Sequence, residues 1–306
     1  MAAPPPPAAL AGSPAAAAPV GWTGTDGLLV VMTLIWGVNY IVIKAALEVF
    51  TPLAFNGVRF LLATVAVGVF AWASGARRPS AAQLLRLGLL GALGNTLYQL
   101  CYIEGMARTR AGNAALIMAA VPVLTAVSSH LLGHEKLRWR DAGGLGLSTA
   151  GLAGLGAGSA TVGFGGPTAG DLLMLGAVIG WTAYTILAKP LVDTLGPNVT
   201  TAWSMGLGAI PLLVICAPSA AAQRWSAVTP AAWAGTVFSS LGALVAAYLI
   251  WYRGVARLGS TRTAFYSNFS PVVTLAAAWP LLGEVPTRWQ MVGAAGIFGS
   301  LALVRS

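Results

Sequence analysis

The chain predicts an all-α membrane protein, with ten transmembrane helices arranged as two inverted five-helix repeats. Three observations carry that expectation. First, 57% of its 306 residues are hydrophobic and only 8% are charged, with a mean hydropathy of +0.77. Soluble domains carry roughly 25% charged residues. A water-exposed fold of this size could not hide so much apolar surface, so lipid must be the solvent. Second, the apolar stretches are continuous, not alternating as in a β-barrel. Their length of about 18–24 residues suits helices crossing a hydrocarbon core of roughly 30 Å. Third, the chain repeats itself halfway along.

The elements follow in order. The first five segments are 26–47, 53–73, 83–107, 113–132 and 141–158. Thr51-Pro52, Arg78-Pro79 and Gly133 punctuate them, and Gly165-Gly166-Pro167 closes the set. Glycine and proline break helical runs at such points. The second five are 171–192, 199–217, 231–253, 263–282 and 290–304, separated by Gly196-Pro197, Pro218, Pro230 and Pro286. Every connection is short, so no loop can fold as a catalytic or receptor domain.

The duplication is read residue by residue. Asp26, Trp36, Lys44, Glu48 and Pro52 recur 145 positions later as Asp171, Trp181, Lys189, Asp193 and Pro197. Gly105, Arg108, Pro122, Thr125 and Glu135 recur 149 later as Gly254, Arg257, Pro271, Thr274 and Glu284. Tyr98 and Tyr102 recur 150 later as Tyr248 and Tyr252. Residues 26–158 thus form a first repeat and 171–305 a second. Five spans is an odd number, so the second copy must enter the membrane from the opposite side. Such a pair can adopt two similar packings, one open to each face, which is the basis of alternating access.

Basic residues set orientation. With the N-terminus in the cytoplasm, eleven Lys/Arg fall on cytoplasmic ends and five on outer ends. Both termini are therefore expected in the cytoplasm, in a bacterial inner membrane. The net charge of +9 is distributed at helix ends, so no nucleic-acid partner is expected. Residues 1–25, rich in Ala and Pro, read as a disordered cytoplasmic tail. Cys101 and Cys216 lie in apolar segments and read as core residues. His130 and His134 have i, i+4 spacing but no HExxH order and no third ligand, so neither a metal nor a cofactor is expected. With both His at one helix end, no Ser nucleophile has a base at its depth, and the chain does not read as an enzyme.

Trp36-Gly37 with Lys44, Arg59-Phe60, Pro122 and the Gly133-His134-Glu135 turn, followed in the second half by Pro271 and Leu282-Gly283-Glu284, resemble the EamA repeat of the drug/metabolite transporter superfamily. The resemblance covers both halves. The first repeat departs from the pattern in having His134 between Gly and Glu. The resemblance implies a carrier whose central cavity is lined by helices 1, 3, 4, 6, 8 and 9, with helices 5 and 10 packed away from it. Within the family the chain is most similar to YddG-type exporters of aromatic and other apolar amino acids. The alternatives are a carrier for another metabolite or a drug-like cation, or a channel-like or non-transporting membrane protein.

Candidate binding residues come from polar and aromatic faces. Asn95, Tyr98, Gln99 and Tyr102 share one face of helix 3, and polar groups avoid lipid. Helix 1 offers Trp36, Asn39 and Tyr40, helix 6 offers Trp181 and Tyr184, helix 8 offers Tyr248, and helix 9 offers Tyr266 and Asn268. An aromatic cavity with a few amides and hydroxyls suits a zwitterion with an apolar side chain. Tyr102, Trp251 and Tyr252, near helix ends, also fit an interfacial belt. Pro122 and Pro271 occupy matching places and are candidate gating hinges. Arg59 is the one basic residue deep in a span, where a charge costs about 2.5–3.5 kcal/mol on the insertion scale. Helix 2 is not expected at the cavity, so Arg59 reads as structural. Gly-rich helices 5 and 10 read as packing surfaces. The carrier is expected to work as a monomer.

Overall fold

The computed structural model describes residues 22–73, 75, 78–109, 111–133, 139, 142–147, 149–151, 169–282 and 288–305. Most of the expected tail, the turns at Glu135 and Glu284, and His134 lie outside the described residues. Among those described, all regular structure is helical. Six helices are long and apolar enough to cross a membrane.

Helix α1 spans Gly24–Ala46 and starts in a capping box. The Thr23 backbone N–H donates to the Asp26 carboxylate at 2.7 Å, and Asp26 N–H donates back to Thr23 Oγ1 at 3.4 Å. Two orphan donors of the first turn are thereby satisfied. Helix α2 is Pro52–Ala73. Helix α3 covers 81–108 and contains a π-helical turn over Ala92–Leu97. Helix α4 comprises Ala111–Met118 and Val121–Leu131, interrupted at residues 119–120. Residues 142–147 and 149–151 belong to α5. In the second half, α6 is Ala169–Leu195 and α7 is Pro197–Ala222. Helix α8 is Pro230–Leu258 with a π-helical stretch at Phe238–Ala246. Helix α9 comprises Ser260–Ser267 and Ser270–Leu282, and α10 is Arg288–Arg305. Gly196 and Gly259, at φ +82° and +87°, join consecutive helices with almost no loop, a conformation that a side chain would strain.

The fold is apolar outside and polar inside. Leu61, Val65, Val69 and Trp72 form an exposed stripe on α2, while Asn56 and Arg59 on the same helix are buried. That arrangement is stable only where the surroundings are hydrocarbon. Close backbone contacts hold the interior. Gly91 of α3 and Gly208 of α7 pack directly on each other, a Cβ at Gly208 falling 2.3 Å from the Gly91 carbonyl oxygen. Beside them Thr96 Oγ1 donates to the Gly208 carbonyl at 2.7 Å. Gly151 of α5 likewise meets Gly293, Gly296 and Ile297 of α10, in keeping with the glycine content of both helices.

The packing has a regular pattern. Helix α1 lies against α8 and α9, while α6 lies against α3 and α4. Helix α3 crosses α7 as α8 crosses α2, and α2 packs along α7. Exchanging each helix for the one five places away turns each of these contacts into another of the same set.

Candidate functional site

Seven helices meet around a cavity of about 50 Å³, room for a few water molecules. Its walls are mostly aromatic. Trp36 and Tyr40 come from α1, Tyr98 and Tyr102 from α3, Trp181 from α6 and Tyr248 from α8. Their rings interlock: Trp181 stands 5.6 Å from Trp36, 5.1 Å from Tyr98 and 5.0 Å from Tyr248, centroid to centroid, in tilted or edge-on geometry. Such spacing is the favourable range for aromatic pairs. Trp181 is thus the centre of a cluster that ties both halves of the chain together.

Local backbone irregularities aim these groups. The π-helical stretch of α8 contains Ala243, whose carbonyl accepts the Trp36 indole N–H at 3.0 Å. A π turn replaces i→i+4 bonding with i→i+5 and leaves carbonyls available to other donors. Tyr98 and Tyr248 each sit at the C-terminal edge of a π-helical stretch. The breaks in α4 and α9 also face the cavity: Met118, Ala119 and Val121 flank one, Ser267 and Ser270 the other. Pro122 and Pro271 each follow a break as the second residue of a new helical piece. Lacking an N–H, they cannot donate to the carbonyls of Met118 and Ser267 four residues back. The expected kinks are therefore outright interruptions, at matching places in the two halves.

A polar chain crosses the floor of the site. Gln99 Oε1 accepts from Arg59 Nη2 at 3.2 Å, and Gln99 Nε2 donates to Tyr248 Oη at 2.9 Å. Arg59 is 1% exposed and lines the cavity, which corrects the expectation that α2 stays away from it. Its Cζ lies 5.5 Å from the centre of the Phe55 ring. Its Nε and Nη1 have no hydrogen-bond partner, and among the described residues no carboxylate pairs with it. Asn39 Oδ1 and Ser270 Oγ are likewise buried without partners.

The sequence-derived residues divide into two groups. Asn39, Tyr40, Tyr98, Gln99, Trp181 and Tyr248 line the cavity. Asn95, Tyr184, Tyr266 and Asn268 are buried but stand behind it. Asn95 Nδ2 donates to Tyr184 Oη at 3.2 Å, and Tyr184 Oη contacts Ser204 Oγ at 3.0 Å. Tyr266 donates its hydroxyl to the Asp26 carboxylate, bridging α9 to the start of α1. Tyr102, Trp251 and Tyr252 are buried in the aromatic cluster, so they are not an interfacial belt. Trp36, offered by helix 1, is also in the wall. Arg59 is the charged wall residue that the candidate set leaves out, and a lone charge inside an apolar span is its signal in the sequence.

Comparison with known proteins agrees with this architecture. The profile of the EamA-like transporter family matches the chain twice, over residues 24–157 and 168–306. The chain is 27% identical over 278 residues to a "Probable terminal-alkyne amino-acid exporter" of Streptantibioticus cattleyicolor, covering 90% of this chain and 92% of that protein. It is 29% identical over 287 residues to a "Probable amino-acid metabolite efflux pump" of Salmonella typhimurium, covering 90% and 93%. An "Uncharacterized transporter" of Archaeoglobus fulgidus is 29% identical over 272 residues, covering 88% and 93%. A solved crystal structure superposes with a TM-score of 0.74 at 20% identity, covering 92% of this chain and 96% of that one. With both halves matched and an apolar-outside, polar-inside bundle to embed them, the chain belongs to the EamA-like transporter family and is a membrane transporter, not an enzyme.

Proposed function

We propose that the protein exports amino acids with aromatic or other apolar side chains by alternating access, through ten spans arranged as two inverted repeats around the aromatic cavity. The observation that carries the reading is the site itself: interlocked rings supply an apolar wall, while Arg59, Gln99 and Asn39 supply a few convergent polar groups. A small zwitterion with an apolar side chain matches that mixture. The names of the two relatives from Streptantibioticus cattleyicolor and Salmonella typhimurium support the substrate class. The exchange symmetry of the helix contacts, the paired π turns and the paired breaks support the inverted duplication.

As it stands the cavity holds only a few waters, so a ring-bearing solute requires the walls to separate. The breaks at Pro122 and Pro271 are the points at which α4 and α9 can bend without losing helical hydrogen bonds. The protein works as a monomer, with both termini in the cytoplasm. Purified protein in liposomes preloaded with unlabelled phenylalanine should accumulate labelled phenylalanine by counterflow, with saturation. Unsaturable current in its place would make it a channel, and neither signal would make it a scaffold. Cysteines introduced at Val20 and Gly165 should react with an impermeant maleimide from opposite faces; labelling from the same face would end the inverted arrangement.

A further inference from the structure

We infer that Arg59 is the group that selects the solute: its spare guanidinium nitrogens receive a carboxylate, so the cavity accepts amino acids and related carboxylates and rejects amines that lack one. This rests on the proposed central binding site and deepens it.

The argument begins with cost. A guanidinium keeps its charge at any physiological pH, and a buried charge without a counter-ion is strongly disfavoured. Arg59 is nonetheless fully enclosed, has no carboxylate partner among the described residues, and commits one nitrogen to Gln99. Nε and Nη1 have no partner at all and belong to a residue of the cavity wall. Nε and Nη1 point to different sides of the planar guanidinium, and each is a charged N–H donor of the kind that makes a strong hydrogen bond to a carboxylate oxygen. Gln99 completes the arrangement. Because its Oε1 is held by Arg59, its Nε2 points to Tyr248 Oη. That phenol therefore accepts from Gln99 and keeps its own proton to donate. Arginine and tyrosine together offer three donors to an anion.

The remainder of the lining explains where the rest of the solute goes. Among the described residues no carboxylate lines the cavity, so an ammonium finds neutral acceptors and aromatic rings there. Asn39 Oδ1 and Ser270 Oγ are unpartnered, and the carbonyls of Met118 and Ser267 lose their helical donors to the two prolines. Trp36 and Trp181 present π faces, which attract cations. These groups tolerate an ammonium but do not neutralise it, whereas Arg59 demands an anion. A solute bearing only positive charge would meet like charge and is excluded.

The test uses full-length protein in detergent and reads quenching of the tryptophan fluorescence, so it does not depend on transport. Wild-type protein is titrated with L-phenylalanine, 3-phenylpropionate, phenylalaninamide and phenethylamine. The first two should bind, and the last two should bind at least about tenfold more weakly, since a hydrogen bond to a charged group is worth about one to two orders of magnitude in affinity. Arg59→Gln should lower affinity for the carboxylates by about 10- to 100-fold while leaving phenethylamine unchanged or tighter, and Arg59→Lys should restore part of the loss. Equal binding of phenylalanine, the amide and the amine to wild type would overturn the inference, whether or not the variants fold. Absence of binding by any carboxylate would overturn it as well. Carboxylate-selective binding without counterflow would leave the inference standing and remove the transport reading alone.

Discussion

Replacing Gln99 with Glu sets stability against binding. The new carboxylate keeps the position from which Gln99 Oε1 meets Arg59 Nη2 at 3.2 Å, and its other oxygen accepts from Tyr248, whose oxygen now lies 2.9 Å from an amide nitrogen. At an effective dielectric of about 20, opposite charges at that separation attract by about 5 kcal/mol. Burying the second charge costs several kcal/mol in return. The fold should therefore be unchanged or stabilised by about 1–2 kcal/mol. Binding moves the other way, because Arg59 now has its counter-ion. A substrate carboxylate about 5 Å from the introduced charge would be repelled by about 3 kcal/mol at the same dielectric, roughly two orders of magnitude in affinity. The assay is a pair of titrations on one preparation: thermal unfolding in detergent, and fluorescence quenching by phenylalanine. We expect a melting temperature at or above wild type with phenylalanine affinity reduced about 100-fold. A Gln99→Glu variant that melts normally and binds phenylalanine as well as wild type would refute the role given to the Arg59 charge.

Other expectations concern packing and gating. Gly208→Ala should destabilise the protein by about 1–3 kcal/mol in detergent unfolding, since the added methyl falls 2.3 Å from the Gly91 carbonyl oxygen and backbone cannot yield as a side chain can. Gly206→Ala, two positions away with nothing within 4 Å, should instead be neutral or stabilising by up to about 1 kcal/mol. Gly37→Ala places its methyl 2.4 Å from Val273 Cβ and should force α1 and α9 apart at a cost of about 1–3 kcal/mol, seen as faster maleimide labelling of a cysteine introduced at Ser270. The double substitution of Pro122 and Pro271 by Ala should leave phenylalanine affinity within about threefold and slow counterflow by about tenfold, because gating and not the site is altered; unchanged counterflow would dismiss the hinges.

Composition makes the membrane setting legible, and the fixed offset between Tyr98-Tyr102 and Tyr248-Tyr252 makes the duplication legible, because both survive projection onto one dimension. The face of α3 is legible only in part. Tyr98, Gln99 and Tyr102 line the cavity as a 3.6-residue period requires, but Asn95 lies inside the π turn. That turn adds a residue to the helical repeat and rotates everything before it, so Asn95 meets Tyr184 instead. Residue type alone places Tyr266 in the wall, yet it reaches Asp26, 240 positions away, a partner that no local spacing reveals. Arg59 has no legible role in the sequence because its meaning depends on Gln99, which reaches it across the α2–α3 interface.

The two halves also differ at one pair of matching contacts, α1 with α9 and α6 with α4. In the contact between α1 and α9, Thr274 Oγ1 donates to the Gly37 carbonyl at 2.9 Å, and the bare α carbon of Gly37 lets α9 approach. The matching positions between α6 and α4 are Thr182 and Thr125. Both of their hydroxyls are buried without a partner, and a threonine stands where the first contact has glycine. One contact is closed and bonded; its counterpart leaves two hydrogen-bonding groups unsatisfied, each costing about 1–3 kcal/mol. A buried pair left unbonded in one conformation is a store of free energy that another conformation can recover. In the proposed cycle, recovering it would mean loosening the α1–α9 contact as the α4–α6 contact tightens, so that neither side of the membrane is favoured by more than a few kcal/mol, the scale that a single bound carboxylate on Arg59 can tip.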